Sequence, residues 1–311
     1  MSKKAFIFPG QGSQYVGMGK ELYENMDICR DVFNIANEKL GFKISELCFE
    51  GPIDELNITE NTQPAILTVN IACLKALEYY GIKADITAGL SLGEYSALIC
   101  SGVMRFEDTI NLVKKRGKFM QEAVPIGIGG MSAVLGLKED ILKEICNEVS
   151  NEGILEIANL NCPGQIVMAG EIKALEKASE LCKEKGAKKV VKLPLSAPFH
   201  TSMLKSAAEK LSLELDKMNF TPMKIPVITN VTGDYIDEYE NIKEILKLQV
   251  MSSVRWEDTI RTMIRDGVDT FIEVGPGKAL SGFVKKIDRN LKVLNVENMT
   301  SLENAVRELK S

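Results

Sequence analysis

Ala88-Gly89-Leu90-Ser91-Leu92-Gly93-Glu94-Tyr95-Ser96-Ala97-Leu98 is the stretch from which the rest of the chain is read. Asp85 to Ala88 is short and partly β-branched, which suits the end of a strand. Glu94 to Cys100 holds good helix formers and no breaker. Between them stands Gly-x-Ser-x-Gly, the spacing of a nucleophile elbow, in which two glycines let the backbone turn sharply and push one serine hydroxyl forward. A helix that starts beneath that serine offers free N–H groups to a developing oxyanion. The same five residues also fit an ordinary Gly/Ser turn ahead of a core helix, so the rest of the chain has to decide.

A serine nucleophile needs a base, and the 311 residues contain a single histidine, His200. It lies in Leu195-Ser196-Ala197-Pro198-Phe199-His200-Thr201-Ser202, a loop ahead of a helix for which Thr201 or Ser202 offers a cap. A helix N-terminus disfavours a charged imidazole and keeps it available as a base. A third group emerges from helical periodicity. Counting about 100° per residue along 107–121 puts Ile110, Val113, Gly117 and Met120 on one arc, with Arg116 in its middle and Lys114, Lys115 and Lys118 pointing away. A guanidinium on an apolar face requires an anion: either a core carboxylate in a structural salt bridge or the carboxylate of a substrate held bidentately.

Composition removes several classes of function. The net charge is −5, a poor match to nucleic acid. No apolar run approaches the roughly 18 residues of a membrane span, and the run after Lys3-Lys4 stops at Pro9, too soon for a leader peptide. The seven cysteines (29, 48, 73, 100, 146, 162 and 182) are scattered and include no C-x-x-C pair. That pattern fits reduced thiols in a cytoplasm and speaks against a disulfide framework or a metal site. Pro9-Gly10-Gln11-Gly12-Ser13-Gln14 follows the apolar strand Ala5 to Phe8, but Tyr15 and Gln14 stand where the two phosphate-loop patterns require glycine. The loop remains a ligand-site candidate because open α/β sheets bind at the carboxyl ends of their strands.

Periodicity gives an α/β chain with helices over 20–40, 45–58 and from Gln63-Pro64 to about Tyr80. Residues 125–196 change character. A strand over 131–135, a helix over 138–150, strands over 154–159 and 165–169, a helix over 171–185 and a strand over 188–193 spell βαββαβ, the ferredoxin-like pattern. Residues 159–164 read as the loop between its middle strands. This unit interrupts a larger domain made of 1–124 and 197–311. Val227 to Asn230 and Thr270 to Val274 read as further strands of that domain, the second leading into Gly275-Pro276-Gly277.

Taken together, these pieces resemble the malonyl-CoA:acyl carrier protein transacylases of bacterial fatty-acid synthesis. The matching residues are Phe8 to Gln14, Thr62-Gln63-Pro64-Ala65, Gly89 to Ala97, Arg116, Asn161-Cys162-Pro163-Gly164-Gln165, Ser196 to His200, Val254-Arg255-Trp256 and Glu273 to Gly277. They occur in the family's order over nearly the full length. The resemblance implies a hydrolase-like, mostly parallel sheet core roofed by the ferredoxin-like subdomain. It implies Ser91 as nucleophile, His200 as base, the backbone N–H groups of Gln11 and Leu92 as oxyanion hole and Arg116 as the grip on the malonyl carboxylate. It further implies that the Gln249 backbone carbonyl orients the histidine and that Phe199, Gln63 and Asn161 line the pocket. Malonyl-CoA and a transiently bound acyl carrier protein are the expected partners, for a monomer without cofactor or metal. Leu90 departs from the family, many of whose members carry histidine there. A trans-acting polyketide acyltransferase shares every one of these residues, and a chain with no fused carrier favours the fatty-acid role. A serine esterase needs Ser…Asp/Glu…His in chain order, and candidate acids lie between Ser91 and His200; against it stand the lack of a His-Gly-Gly-Gly-like oxyanion loop and Arg116 on an apolar face. A binding module that had lost activity would not need both Ser91 and His200. Lys188, Lys189, Lys192 and Lys205 are read as a possible basic rim for an acidic carrier, or as ordinary solvated lysines.

Overall fold

The computed structural model describes residues 2–195, 197–236 and 241–310; Ser196, which opens the histidine motif, lies outside them. The strands are β1 (Lys3–Phe8), β2 (Ile86–Gly89), β3 (Gly129–Leu135), β4 (Leu155–Cys162), β5 (Gln165–Glu171), β6 (Lys189–Lys192), β7 (Val227–Ile228), β8 (Val268–Val274) and β9 (Lys292–Val296). They form two sheets. One is parallel, in the order β7-β2-β1-β8-β9, and the other antiparallel, in the order β4-β5-β3-β6.

The continuous apolar run of β1 reflects a strand covered on both faces. Phe6 and Phe8 point into the larger core, beneath the helix Thr59–Tyr79, while Ala5 and Ile7 point into a second core with Trp256, Ile260 and Met263. β1 and β2 are neighbours in register, Phe8 opposite Gly89, so their carboxyl-end loops lie side by side. The loop after β7 flanks β2 on its other side. Three adjacent strand ends therefore deliver the Gln11 loop, the Ser91 turn and Asn230 to one place.

The antiparallel sheet covers one face with the helices Glu139–Glu148 and Ile172–Glu184 and sends Met131, Ala158, Val167 and Ala169 from its other face into the larger core. Val254 ties it to the rest of the chain: its N–H donates to Ala158 O at 2.8 Å, and its carbonyl accepts Leu160 N–H at 2.9 Å.

Several boundaries differ from the reading of the sequence. The 20–40 segment is two helices, Lys20–Asn25 and Asp27–Leu40, separated at the extended Met26. The 45–58 segment breaks at Gly51-Pro52. The long helix begins at Thr59 rather than at Gln63, with Pro64 inside it. Proline favours a first helical turn, but here packing decides: the helix Phe106–Glu122 crosses so closely that a methyl group on Gly117 would sit 2.5 Å from Thr59 O. Residues 159–162 are strand, and the expected loop shrinks to Pro163-Gly164, with Gly164 at φ 70° closing the turn. Irregular pairing in β4 around Asn159 and Cys162 accompanies the exposure of Asn159 and Asn161 to the cavity described below.

Candidate active site

The elbow is built by exclusion of side chains. A methyl group at Gly89 would lie 1.9 Å from the Gly93 carbonyl, and one at Gly93 would lie 2.0 Å from Phe8 O. One at Gly10 would lie 2.3 Å from Leu90 O, so the Gln11 loop touches the elbow backbone to backbone. Ser91 stands at the apex with φ 52°, and the helix Gly93–Cys100 leaves directly behind it.

His200 Nε2 lies 2.8 Å from Ser91 Oγ, and His200 Nδ1 lies 2.8 Å from Gln249 O. These two distances fix the direction of every bond. A carbonyl can only accept, so Nδ1 carries the proton and donates to it. Nε2 then holds the lone pair, and the Ser91 hydroxyl donates to it. The serine oxygen keeps its own lone pairs, one of which accepts Arg116 Nη2 at 3.2 Å.

His200 is 4% exposed and held at φ 63°. Burial, reinforced by the Arg116 charge, lowers its pKa to about 4, against the opposing hydrogen bonds to Gln249 and Ser252 backbone oxygens. The cause differs from the helix-terminus effect expected from the sequence. Thr201 and Ser202 do not cap the following helix: Thr201 Oγ1 turns back to Pro198 O, and Ser202 N–H donates to Glu156 on β4.

Arg116 is 1% exposed, and its partners are neutral oxygens. Nη1 donates to Gln63 Oε1 at 2.9 Å and Nη2 to Gln249 Oε1 at 2.9 Å, while the guanidinium lies 5.4 Å from the centre of the Tyr95 ring. Among the described residues it forms no salt bridge, and its Nε finds no acceptor. Of the two anions the sequence allowed, a core carboxylate in direct contact is therefore absent among the described residues. Desolvation pulls the Arg116 pKa below its usual value.

These groups face a cavity of about 210 Å³. Gln11, Leu92, Gln63, Asn161 and Phe199 all line it with Ser91, Arg116 and His200; Met131 and Val167 close it from the antiparallel sheet, with Leu193 just past the end of β6. Among the described residues, the backbone N–H groups of Gln11 and Leu92 have no protein acceptor. The buried Asn161 Oδ1 is also without a partner. Gln249 holds the histidine through its backbone from behind, in the helix Ile242–Val250. The four lysines of the proposed rim are exposed, Lys189 and Lys192 on the edge strand β6, and none reaches the cavity.

Two residues that the sequence reading passed over complete the arrangement. Asn230 Oδ1 accepts the Ser91 N–H at 2.6 Å, so that N–H is unavailable to an oxyanion. Glu94, fully buried behind the elbow, accepts hydrogen bonds from Asn230 N–H and from Gln249 Nε2, each at 2.9 Å. Among the described residues no helix is long and apolar enough to cross a membrane, and no group of three or more His, Cys, Asp or Glu side chains gathers as a metal site.

The chain matches the acyl transferase domain family over residues 5–310. It is 50% identical to the malonyl CoA-acyl carrier protein transacylase of Bacillus subtilis, over 100% of this chain and 98% of that one. The crystal structure of malonyl CoA-acyl carrier protein transacylase from Clostridium perfringens superimposes with a TM-score of 0.97 at 55% identity, over 99% of this chain and 98% of that one. A malonyl-transacylase solved in complex with a type II polyketide acyl-carrier protein superimposes with a TM-score of 0.96 at 39% identity, over 99% and 100% of the two chains.

Proposed function

The chain belongs to the acyl transferase domain family, within it to the malonyl CoA-acyl carrier protein transacylases, and we propose that it moves malonyl groups from malonyl-CoA to the phosphopantetheine thiol of acyl carrier protein through an ester on Ser91. The observation that carries this reading is Arg116: a buried guanidinium, bonded only to neutral oxygens, donating to the nucleophile itself. A carboxylate brings a full opposite charge and two oxygens that match the guanidinium fork, which an amide oxygen does not, so a malonyl carboxylate outcompetes Gln63 and Gln249 for the same N–H groups.

In the first half-reaction Ser91 Oγ attacks the thioester carbonyl while its proton passes to His200 Nε2. The oxyanion accepts the free N–H groups of Gln11 and Leu92. The C–S bond then breaks, and the imidazolium gives its proton to the departing CoA sulfur. A base held near pKa 4 makes a strongly acidic imidazolium, and a thiolate with a conjugate acid near pKa 8.5 takes that proton readily. In the second half the carrier thiol gives its proton to His200, attacks the serine ester, and Ser91 leaves with the proton returned. A carbonyl partner suffices to hold the imidazole, because a thiolate leaving group asks less of the acid than an amine does.

We read the parallel sheet as a hydrolase-like core spanning 1–124 and 197–311, and 125–196 as a ferredoxin-like subdomain. The antiparallel order β4-β5-β3-β6 with two helices on one face supports the latter. The enzyme is proposed to act as a monomer in the cytoplasm. Phe199 on the pocket wall is assigned to limiting bulk at the malonyl α-carbon. The esterase alternative is disfavoured by the carbonyl, in place of a carboxylate, at His200 Nδ1. A polyketide role is kept as a second reading, because one similar structure holds a type II polyketide carrier. Intact mass spectrometry after mixing with malonyl-CoA tests the proposal: the wild type gains one malonyl group and Ser91→Ala gains none. Equal labelling of both refutes it. Rates with fatty-acid and polyketide carriers then separate the two readings.

A further inference from the structure

Behind the elbow lies a hydrogen-bond network that no step above uses. Glu94 directly follows the second glycine of the turn and is fully buried. A single oxygen, Oε2, accepts both of its hydrogen bonds, from Asn230 N–H and from Gln249 Nε2; Oε1 has no partner among the described residues. Each of the two donors goes on to hold the site. Asn230 spans the turn, accepting Ser91 N–H at Oδ1 and donating from Nδ2 to Gly89 O at 2.7 Å. Gln249 donates from Nε2 to Ser91 O at 3.0 Å, accepts Arg116 at Oε1 and accepts His200 through its backbone carbonyl.

We propose that Glu94 is a positioning residue, whose one carboxylate oxygen sets the nucleophile's turn, the histidine-orienting carbonyl and the arginine's anchor in register with one another. It touches neither substrate nor reacting atoms, and the assignment rests on the acyl-transfer reading above. Three elements from distant parts of the chain meet at this oxygen: the helix behind Ser91, the loop after β7 and the helix Ile242–Val250. A buried acceptor shared by two donors resists displacement of either, because the lost bond would leave a polar group unsatisfied. Burial pushes the Glu94 carboxyl up to about 7, opposed by the bonds from Gln249 and Asn230 and by the Arg116 charge. Its neighbours among ionisable groups are that guanidinium and the Tyr95 phenol. A proton taken up at the unpartnered Oε1 leaves both bonds at Oε2 intact, so the register survives titration.

This predicts a separation between two variants. Glu94→Ala removes the shared acceptor, and misplacement of reacting groups on that scale slows formation of the malonyl-enzyme about 100-fold. The loss falls on the acylation rate constant at saturating donor, and a neutral acyl-CoA suffers it as well as malonyl-CoA, unlike a loss at Arg116. Glu94→Gln can set its amide oxygen in the Oε2 position and keep both bonds, so it recovers to within about tenfold of wild type. Rapid-quench acylation read by intact mass, with thermal melts of each variant, measures this. Acylation by Glu94→Ala at the wild-type rate overturns the proposal. So does a loss confined to malonyl-CoA, or a folded Glu94→Gln as slow as Glu94→Ala. If Glu94→Ala does not fold, Asn230→Ala keeps the backbone bond to Glu94 but cuts the side-chain arm that carries its hold to the Ser91 turn, with a loss shared by both donors expected and an unchanged rate overturning the proposal. A wild type that takes up no malonyl group would sink the acyl-transfer reading as well, which separates the two failures.

Discussion

The floor and the roof of the cavity are made by opposite means. The floor, at the carboxyl ends of the parallel strands, is backbone packed on backbone. Glycines 10, 89 and 93 leave no space for a methyl group, and buried polar groups share acceptors one by one. The roof, from the antiparallel sheet, is a set of apolar side chains with two asparagines, and one of those amides has an oxygen to spare. Groups that must meet within a hydrogen-bond length sit where the chain has no freedom. Groups that only shape the substrate's space sit where side chains can adjust. Chemistry should therefore fail in rate when the floor is altered and in affinity when the roof is altered, with the choice of donor left to Arg116.

The largest effect expected on the floor is at the nucleophile. Ser91→Ala should lower malonyl transfer by about a millionfold, as for other serine nucleophiles working as a unit with their base, measured by single-turnover transfer. Arg116→Ala comes next. Removing one side of a buried, hydrogen-bonded charge pair costs about 2–5 kcal/mol, so malonyl transfer should fall by roughly 30- to 5,000-fold while transfer from a neutral acyl-CoA changes little. Equal losses for both donors would make Arg116 a structural part of the floor instead.

A pH profile sharpens the same contrast. His200 must be neutral to accept the Ser91 proton, and its pKa is lowered to about 4. The acylation rate should stay level from neutral pH down through the ordinary histidine range near 6.5 and fall only as pH approaches 4, read by short-time quench before the protein unfolds. A fall centred near 6.5 would mean the imidazole is not desolvated as described. The smallest effect is expected on the roof. Asn161→Ala deletes one uncompensated acceptor, worth about 0.5–1.5 kcal/mol, and should raise the malonyl-CoA KM by roughly 2–10-fold with kcat unchanged. A loss in kcat there would break the division between floor and roof.

What could be read in the sequence follows from the same division. Gly89 and Gly93 announced themselves because no other residue fits a turn that tight. Arg116 stood out because a cation interrupts an apolar arc, and His200 because the chain holds no second imidazole. The pairing of Ser91 with His200, more than a hundred residues apart, came from uniqueness and resemblance, since spacing carries no information over that distance. Asn230 read as the end of a short strand and Glu94 as a good helix former, for each is significant only through partners brought close by folding. The start of the long helix at Thr59 was hidden because Pro64 signals a first turn locally, whereas the tight crossing at Gly117 rewards an earlier one. Asn161 was placed on a loop because Pro163-Gly164 marks a turn without saying how short it is.

Ser91 and His200 share a backbone conformation that residues with a Cβ rarely hold, at φ 52° and 63°. Each such position withholds roughly 1–2 kcal/mol from the folded chain. Glycine at Ser91 would relieve that tension with little packing lost and leave a sturdier but inert molecule, whereas at His200 the loss of a buried imidazole outweighs the gain. The nucleophile thus exists at the expense of fold robustness, and any search for sturdier versions of this protein that screens on melting temperature alone will be drawn to the one hydroxyl it can least do without.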